Sequence, residues 1–195
     1  MQFKSGNIYH IYNRGNNRQP VFFTGDNYLF FLTKVQKYIV PNCDMLAWCL
    51  MPNHFHFLVH ATEISGQVLN KTPFASNNLS EAFRLTLSSY TKAINVQENR
   101  VGNLFQQKTK SKSVYDGQSN YSAAAFHYIH QNPVKAGLVR QLQDWEYSSY
   151  QDYVGIRENG FCNRLLAIEL LGIAPQSFRH ESEILLPEEL LLKIF

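Results

Sequence analysis

The chain has 195 residues, of which 45% are hydrophobic and 14% aromatic, and its formal net charge is +3. This length suits one domain with a small extension, and the apolar content can fill a core, which excludes disorder throughout the chain. The excess of Lys and Arg over Asp and Glu lies within residues 1–175. A weakly basic body of this kind is compatible with a nucleic-acid partner.

No segment of the sequence predicts export or membrane insertion. The three cysteines form no Cys-x-x-Cys pair, which favours a reduced cytoplasmic location over a disulfide framework. Residues 45–62 lack acidic and basic side chains, but Pro52 and three histidines interrupt them, so they indicate a hairpin rather than a membrane span. The N-terminus has no signal-peptide pattern. We therefore expect a soluble cytoplasmic protein without a membrane partner.

The first elements in the chain are a strand and a helix. Side chains of alternating character predict a strand over residues 8–14, which Gly15 ends. Asp26 is a candidate cap for the following helix, whose apolar residues recur with helical period as far as Ile39. Pro41 is expected to end this helix.

A hairpin follows, with strands predicted over residues 45–51 and 54–61. Successive side chains of a strand point to opposite faces of the sheet, so His54 and His56 share one face. Two imidazoles that converge in this way can hold a divalent metal with little rearrangement. Alternatively, they are ordinary polar residues of a half-exposed strand, and the same interpretation applies to His60 on that face.

The second half of the chain predicts the same alternation of strand and helix. Asn78 and Glu81 resemble a capping box at the start of a helix. The predicted elements are a loop over residues 62–77, a helix ending near Asn99, a strand over 104–115 and a helix over 119–131.

The resulting order, β-α-β-β-α-β-α, predicts an α+β fold of the ferredoxin-like type with an antiparallel sheet. We expect a domain over residues 1–150 and a small helical C-terminal extension over residues 151–195. Short helices are predicted in the extension over residues 165–171 and 187–195.

Two groups of polar residues are candidates for nucleic-acid chemistry. Lys108, Lys110 and Lys112 share one face of the predicted strand and, with Arg14, could contact phosphates. Alternatively, these lysines protect a solvated edge strand. Tyr128 and Asn132 are four residues apart on a helix, so phenol and carboxamide would share one helix face, although a helical tyrosine is often only a packing residue.

Several motifs in the same order resemble one family. The sequence resembles the REP-associated tyrosine transposases, a branch of the single-tyrosine HUH transposase superfamily, whose shared fold is ferredoxin-like. The likeness covers roughly residues 5–155. The matching segments are His54-Phe55-His56 after Met51-Pro52-Asn53, residues 128–138 (YIHQNPVKAGL), and residues 9–16, 102–106 and 145–150.

The resemblance implies an endonuclease and strand transferase that acts on single-stranded DNA at the foot of a hairpin. It makes Tyr128 the nucleophile, which forms a 5′-phosphotyrosine link, and makes His54 and His56 the ligands of Mg²⁺ or Mn²⁺. Related enzymes have a glutamine four residues after the tyrosine as third ligand, whereas this chain has Asn132, so the neighbouring Gln131 and His130 are rivals. A homodimer is compatible with this chemistry, because the tyrosine could serve either subunit.

Two other functional classes stay open at this point. A non-catalytic RRM-like module that binds single-stranded nucleic acid would need stacking aromatics on an exposed sheet face and no metal. A zinc hydrolase would need a third strong ligand and a carboxylate base close to the histidines, and no acidic residue follows them before Glu63.

Overall fold

The computed structural model describes residues 1–69, 76–116, 121–184, 186 and 189. A four-stranded antiparallel sheet lies at its centre. The strands are β1 (Ile8–Arg14), β2 (Asp44–Met51), β3 (His54–His60), the short pair β4 (Val68–Leu69) and β5 (Ser76–Asn77), and β6 (Lys110–Tyr115). The central sheet has the order β2-β3-β1-β6, and β4 pairs only with β5.

Helices connect the strands and continue the chain after β6. The α-helices are α1 (Gly25–Lys34), α2 (Glu63–Gly66), α3 (Asn78–Gln97), α4 (Ser122–Lys135), α5 (Tyr150–Tyr153), α6 (Arg164–Leu171) and α7 (Phe178–Glu183). The order β1-α1-β2-β3-α3-β6 with this sheet arrangement confirms the predicted ferredoxin-like fold. The described part of the chain contains no helix that is long and apolar enough to cross a membrane.

One face of the sheet packs against α1 and α3 through aromatic side chains. Phe55 and Phe57 of β3 point to this side and are fully buried. The ring of Phe31 in α1 lies 5.6 Å from that of Phe55, and the ring of Phe83 in α3 lies 5.9 Å from that of Phe57. The apolar cluster on this side contains most of the buried aromatic rings of the described residues.

The opposite face, which carries the histidines of β3, packs against α4 and α6. Its apolar core includes Leu58 of β3 and Phe126 and Ile129 of α4. The extension also holds the edge strand β2, since the Asn163 amide donates to the Met45 carbonyl at 2.8 Å. Residues on both sides of position 150 thus contact β2, and the predicted division into domain and extension stays a prediction.

Both predicted helix caps lie one or two residues too late. Thr24 caps α1 in a reciprocal box with Asn27, so Asp26 belongs to the first turn instead. Asn77 caps α3, and its Oδ1 accepts from the Ser80 amide at 2.9 Å. Thr24 and Asn77 have the extended backbone conformation that a cap residue requires.

The structure also corrects the predicted strand over 104–115 and the predicted loop over 62–77. The strand predicted over 104–115 is shorter, because the chain bends where buried Phe105 forms an isolated bridge with Gly15 and becomes β6 only at Lys110. The predicted loop over 62–77 contains α2, β4 and β5 in its described part.

The helix predicted over 119–131 starts at Ser122 among the described residues and continues through Pro133 to Lys135. Asn132 Nδ2 donates to the Tyr128 carbonyl at 2.8 Å, which adds a hydrogen bond in the turn that Pro133 weakens. The predicted helix over 165–171 is confirmed as α6. The one over 187–195 lies outside the described residues apart from Glu189.

Candidate active site

The fold brings three of the predicted site residues together within one chain. His54 and His56 project from β3 on the face that α4 covers, and their ring centroids are 4.9 Å apart. The Tyr128 ring of α4 stands at 87° to the His56 ring, with 5.8 Å between the centroids. His56 is buried, whereas His54 and Tyr128 are half-buried, so the cluster opens to solvent on the His54 side.

The orientation of His54 is set by its neighbour Asn53. His54 Nδ1 lies 2.5 Å from Asn53 Oδ1, and Asn53 Nδ2 donates to the Arg18 carbonyl at 3.2 Å, which fixes the direction of the amide. A carbonyl oxygen can only accept, so Nδ1 of His54 carries the proton and Nε2 carries the lone pair. This is the tautomer that a ligand bonded through Nε2 requires.

Both histidines are uncharged at neutral pH. Burial, and then the positive charge of Arg14, lower the pKa of His54 to about 4. Burial, and then the neighbouring His10 and His54, lower the pKa of His56 well below its usual value. Metal coordination uses the neutral imidazole, so both rings are in the protonation state that coordination requires.

The Tyr128 hydroxyl is protonated in the resting protein. Burial raises its pKa, a side-chain hydrogen bond with Asn132 opposes that rise, and Cys49 and Tyr12 add to it. Lys135 Nζ lies 5.2 Å from the centre of the Tyr128 ring. A phenol of raised pKa is a weak nucleophile unless its developing charge is stabilised at the moment of attack.

The structure does not support Gln131 as the third ligand. Its Nε2 donates to the carbonyls of Ser182 and Ile184 at 2.9 and 2.7 Å, on the side of α4 that faces α7. His130 also points away, with Nε2 2.8 Å from Ser149 Oγ. Asn132, one turn after Tyr128, is the remaining carboxamide beside the tyrosine.

The donors around the two histidines do not match a typical zinc site. Within the residues that the structure describes, no group of three His, Cys, Asp or Glu side chains is placed to hold a metal. The zinc-hydrolase alternative therefore lacks its third strong ligand. Two imidazoles alone leave most of a metal's coordination shell to oxygen donors such as water or phosphate, which Mn²⁺ and Mg²⁺ accept.

Basic residues border the site along β1 and β6. By register, Arg14 lies opposite His54, and Lys110 and Lys112 lie opposite Tyr12 and His10, all on the histidine face. Lys108 precedes β6 rather than belonging to it. A groove of about 150 Å³ is lined by Tyr12, Asn13, Arg14, Gln106, Lys108 and Lys110, so three of the four predicted basic residues share it.

Two residues of the matching segment 9–16 also border the site, although the sequence pattern gave them no role in it. His10 Nε2 lies 2.9 Å from His56 Nδ1, and Tyr12 stacks on His10 with 4.9 Å between ring centroids. The alternation of β1 places both side chains on one face, and antiparallel pairing of β1 with β3 places that face beside the histidines. Strand pairing of the predicted fold was the signal that could have revealed them.

Comparison with family models finds no match. A curated Haemophilus influenzae protein, provisionally named a REP-associated tyrosine transposase, is 25% identical over 107 residues. The aligned segment covers 55% of this chain and 58% of that relative, so it spans less than two thirds of the relative's length.

A solved structure, described as a REP-associated tyrosine transposase bound to a REP hairpin, matches with a TM-score of 0.60 and 18% identity. The match covers 80% of this chain and 83% of the other chain, and at this identity it shows the fold alone. The resemblance indicated by the motifs is thus confirmed by a sequence relative and a shared fold, and the chain is similar to the REP-associated tyrosine transposases.

Proposed function

We propose that this chain is a metal-dependent endonuclease and strand transferase that acts on single-stranded DNA at hairpin ends. The observation that carries the proposal is that α4 holds the Tyr128 ring 5.8 Å from the ring of His56, which is uncharged at neutral pH. The hairpin in the similar solved structure supports the substrate class.

In the proposed reaction Tyr128 Oη forms a bond to the scissile phosphorus while the bond from phosphorus to the 3′ oxygen breaks. The phenolic proton passes to solvent, and the departing oxygen takes up a proton to become a 3′-hydroxyl. The 5′ phosphate stays on Tyr128, and attack by a DNA 3′-hydroxyl reverses the link and joins strands. The phosphodiester energy is conserved, so joining needs no ATP, in keeping with a sequence without a Gly-x-x-x-x-Gly-Lys loop.

His54, His56 and the Asn132 carboxamide would hold Mg²⁺ or Mn²⁺, which supplies charge neutralisation at a phosphate oxygen. The protein's own contribution is to keep both imidazoles neutral by burial and to orient His54 through Asn53. Arg14, in the groove beside His54, is placed to neutralise a neighbouring phosphate.

The packing of the sheet disfavours the non-catalytic RRM-like alternative. A module of that kind stacks bases on an exposed sheet face. Here α1 and α3 pack on one face through Phe31 and Phe83, and α4 and α6 pack on the other.

The decisive experiment compares Tyr128→Phe with the wild type on a hairpin oligonucleotide that carries a single-stranded flank and a label at each end. We expect Tyr128→Phe to abolish nicking and the covalent adduct while hairpin binding persists. The matched control, Tyr38→Phe on the α1 side of the sheet, should cleave normally. In the wild type, the adduct should carry the 3′-end label, because the protein is joined to the 5′ phosphate.

Chelation of divalent ions supplies the second arm of the same assay. Cleavage should stop in chelator and return with Mn²⁺ or Mg²⁺, while hairpin binding largely survives. Undiminished cleavage in chelator would refute the metal requirement, and an adduct on any residue other than Tyr128 would refute the nucleophile.

A further inference from the structure

We propose that His10 is a positioning residue that accepts a hydrogen bond from Nδ1–H of His56. This bond holds the His56 ring in the tautomer whose Nε2 lone pair is available to a ligand. The inference rests on the proposed function for the identity of that ligand, a divalent metal ion. The hydrogen bond itself is a property of the metal-free protein.

The geometry that carries the inference is a diagonal contact between β1 and β3. Tyr12 lies directly opposite His56, and His10 lies opposite Leu58, so His10 is the diagonal neighbour of His56. His10 is 0% exposed, and its Nε2 is 2.9 Å from His56 Nδ1. The two rings are within 22° of parallel, and Tyr12 stacks on the His10 ring, so packing sets the position of His10 before any ligand binds.

The chemistry of neutral imidazole allows only two arrangements of this pair. A neutral ring has one N–H donor and one acceptor nitrogen, so one proton lies between His10 Nε2 and His56 Nδ1. If His10 donates, His56 accepts at Nδ1 and carries its own proton on Nε2, and neither nitrogen can bind a metal. If His56 donates, its Nε2 lone pair is available.

The second histidine of the site shows the same construction with an unambiguous partner. Asn53 Oδ1 can only accept, so it fixes His54 as the Nδ1–H tautomer. A two-histidine site needs both rings in that form, which makes His10 an acceptor for His56 as Asn53 is for His54. Partners of this kind typically change metal affinity ~10–100-fold when removed.

The first test reads the tautomer of His56 directly in the metal-free wild-type protein, from long-range ¹⁵N–¹H correlations of its imidazole. We expect the proton on Nδ1. A proton on Nε2 would overturn the proposal. This measurement needs no variant, so it decides the hydrogen bond even where a substitution at buried His10 prevents folding.

The second test measures Mn²⁺ affinity by electron paramagnetic resonance in folded variants. His10→Phe keeps a ring against Tyr12 but removes the acceptor, and we expect ~10–100-fold weaker Mn²⁺ binding. His10→Gln can place an amide oxygen near the former Nε2 and should restore most of the affinity. The matched control, His60→Phe, lies on the same face of β3, pairs with Asp44 instead, and should bind as the wild type does.

The outcomes separate the inference from the proposed function. If His10→Phe bound Mn²⁺ with wild-type affinity, the role of His10 would be overturned. It would also be overturned if His10→Gln bound Mn²⁺ as weakly as His10→Phe, because that result indicates a merely structural role. A wild type whose Mn²⁺ binding is absent or independent of His54 would instead overturn the metal site. The tautomer of His56 would still confirm or refute the hydrogen bond in that case.

Discussion

The two faces of the central sheet differ in what holds them together. Phe55 and Phe57 on one face of β3 pack in an apolar cluster with aromatic partners such as Phe31 of α1 and Phe83 of α3. His54 and His56, one residue away along the same strand, meet a layer that includes polar groups, such as the Tyr128 hydroxyl and the Asn132 carboxamide. The same strand thus carries an interface made largely of aromatic rings and one that includes polar groups.

The difference assigns separate tasks to the two faces. Apolar burial is non-directional and stabilises the fold roughly in proportion to area, so the α1/α3 face can anchor the sheet without fixing any single atom. Hydrogen bonds are directional, so the α4 face can fix particular nitrogens and oxygens at the cost of burying polar groups. Substitutions on β3 should therefore separate stability from chemistry.

The largest expected effect is on the apolar face. Phe57→Ala removes a fully buried ring that contacts Phe31 and Phe83, and we expect the free energy of unfolding to fall by about 3–5 kcal/mol in urea titrations. His60→Ala, on the other face of β3 and half-buried, breaks a pair with Asp44 and should cost no more than about 1 kcal/mol. Equal losses from the two variants would contradict the division of tasks.

The next effect is the reverse, a loss of chemistry with little loss of stability. His54→Ala removes a candidate ligand that is half-buried, so the free energy of unfolding should change by about 1 kcal/mol or less. Single-turnover cleavage of the hairpin oligonucleotide should fall at least ~100-fold, as for loss of a metal-binding partner. Cleavage close to that of His60→Ala would show that His54 takes no part in the reaction.

The sequence predicts the two faces of β3 and the fold because both follow from local periodicity. Alternation places His54 with His56 and away from Phe55, and the order of elements limits the topology to few choices. The family motif then supplies Tyr128. What periodicity cannot supply is which side of α4 meets the sheet, and hence that the Gln131 amide bonds to carbonyls on the α7 side. The contact of His10 with His56 depends on strand register, which single-sequence patterns leave open.

A smaller, pH-dependent effect should arise in α5, next to the edge strand β2. Asp152 in α5 is 1% exposed and accepts from Arg157 at 3.0 Å, and burial raises its pKa to about 6 despite that partner. The folded state therefore holds the Asp152 proton more tightly than the unfolded state, whose carboxyl titrates near ~3.9. The stability that this proton contributes is complete below the unfolded value and is lost as the pH rises through about 6.

The substitution Asp152→Asn tests whether stability falls as the pH rises. Between pH 4 and pH 6.5 the free energy of unfolding of the wild type should fall by about 1–2 kcal/mol relative to that of the variant. The reason is that folded wild type releases the Asp152 proton in that window, whereas the variant has no carboxyl at this position. Urea titrations at intervals across the window measure the difference. A difference that is constant with pH, or that grows in favour of the wild type, would contradict the raised pKa.

The smallest effect concerns the groove at the rim of the polar face, where exposed charges act through water. Lys108 is exposed and shares the groove with Arg14 and Lys110, so Lys108→Gln should weaken binding of the hairpin oligonucleotide only a few-fold. The slope of log affinity against log salt should fall by about 1, because one fewer phosphate is neutralised. Lys34→Gln, whose side chain lies over Phe30 on α1, should leave the slope unchanged. If the two variants behaved alike, these lysines would serve only as general surface charge, and the path of the DNA would have to lie elsewhere on the protein.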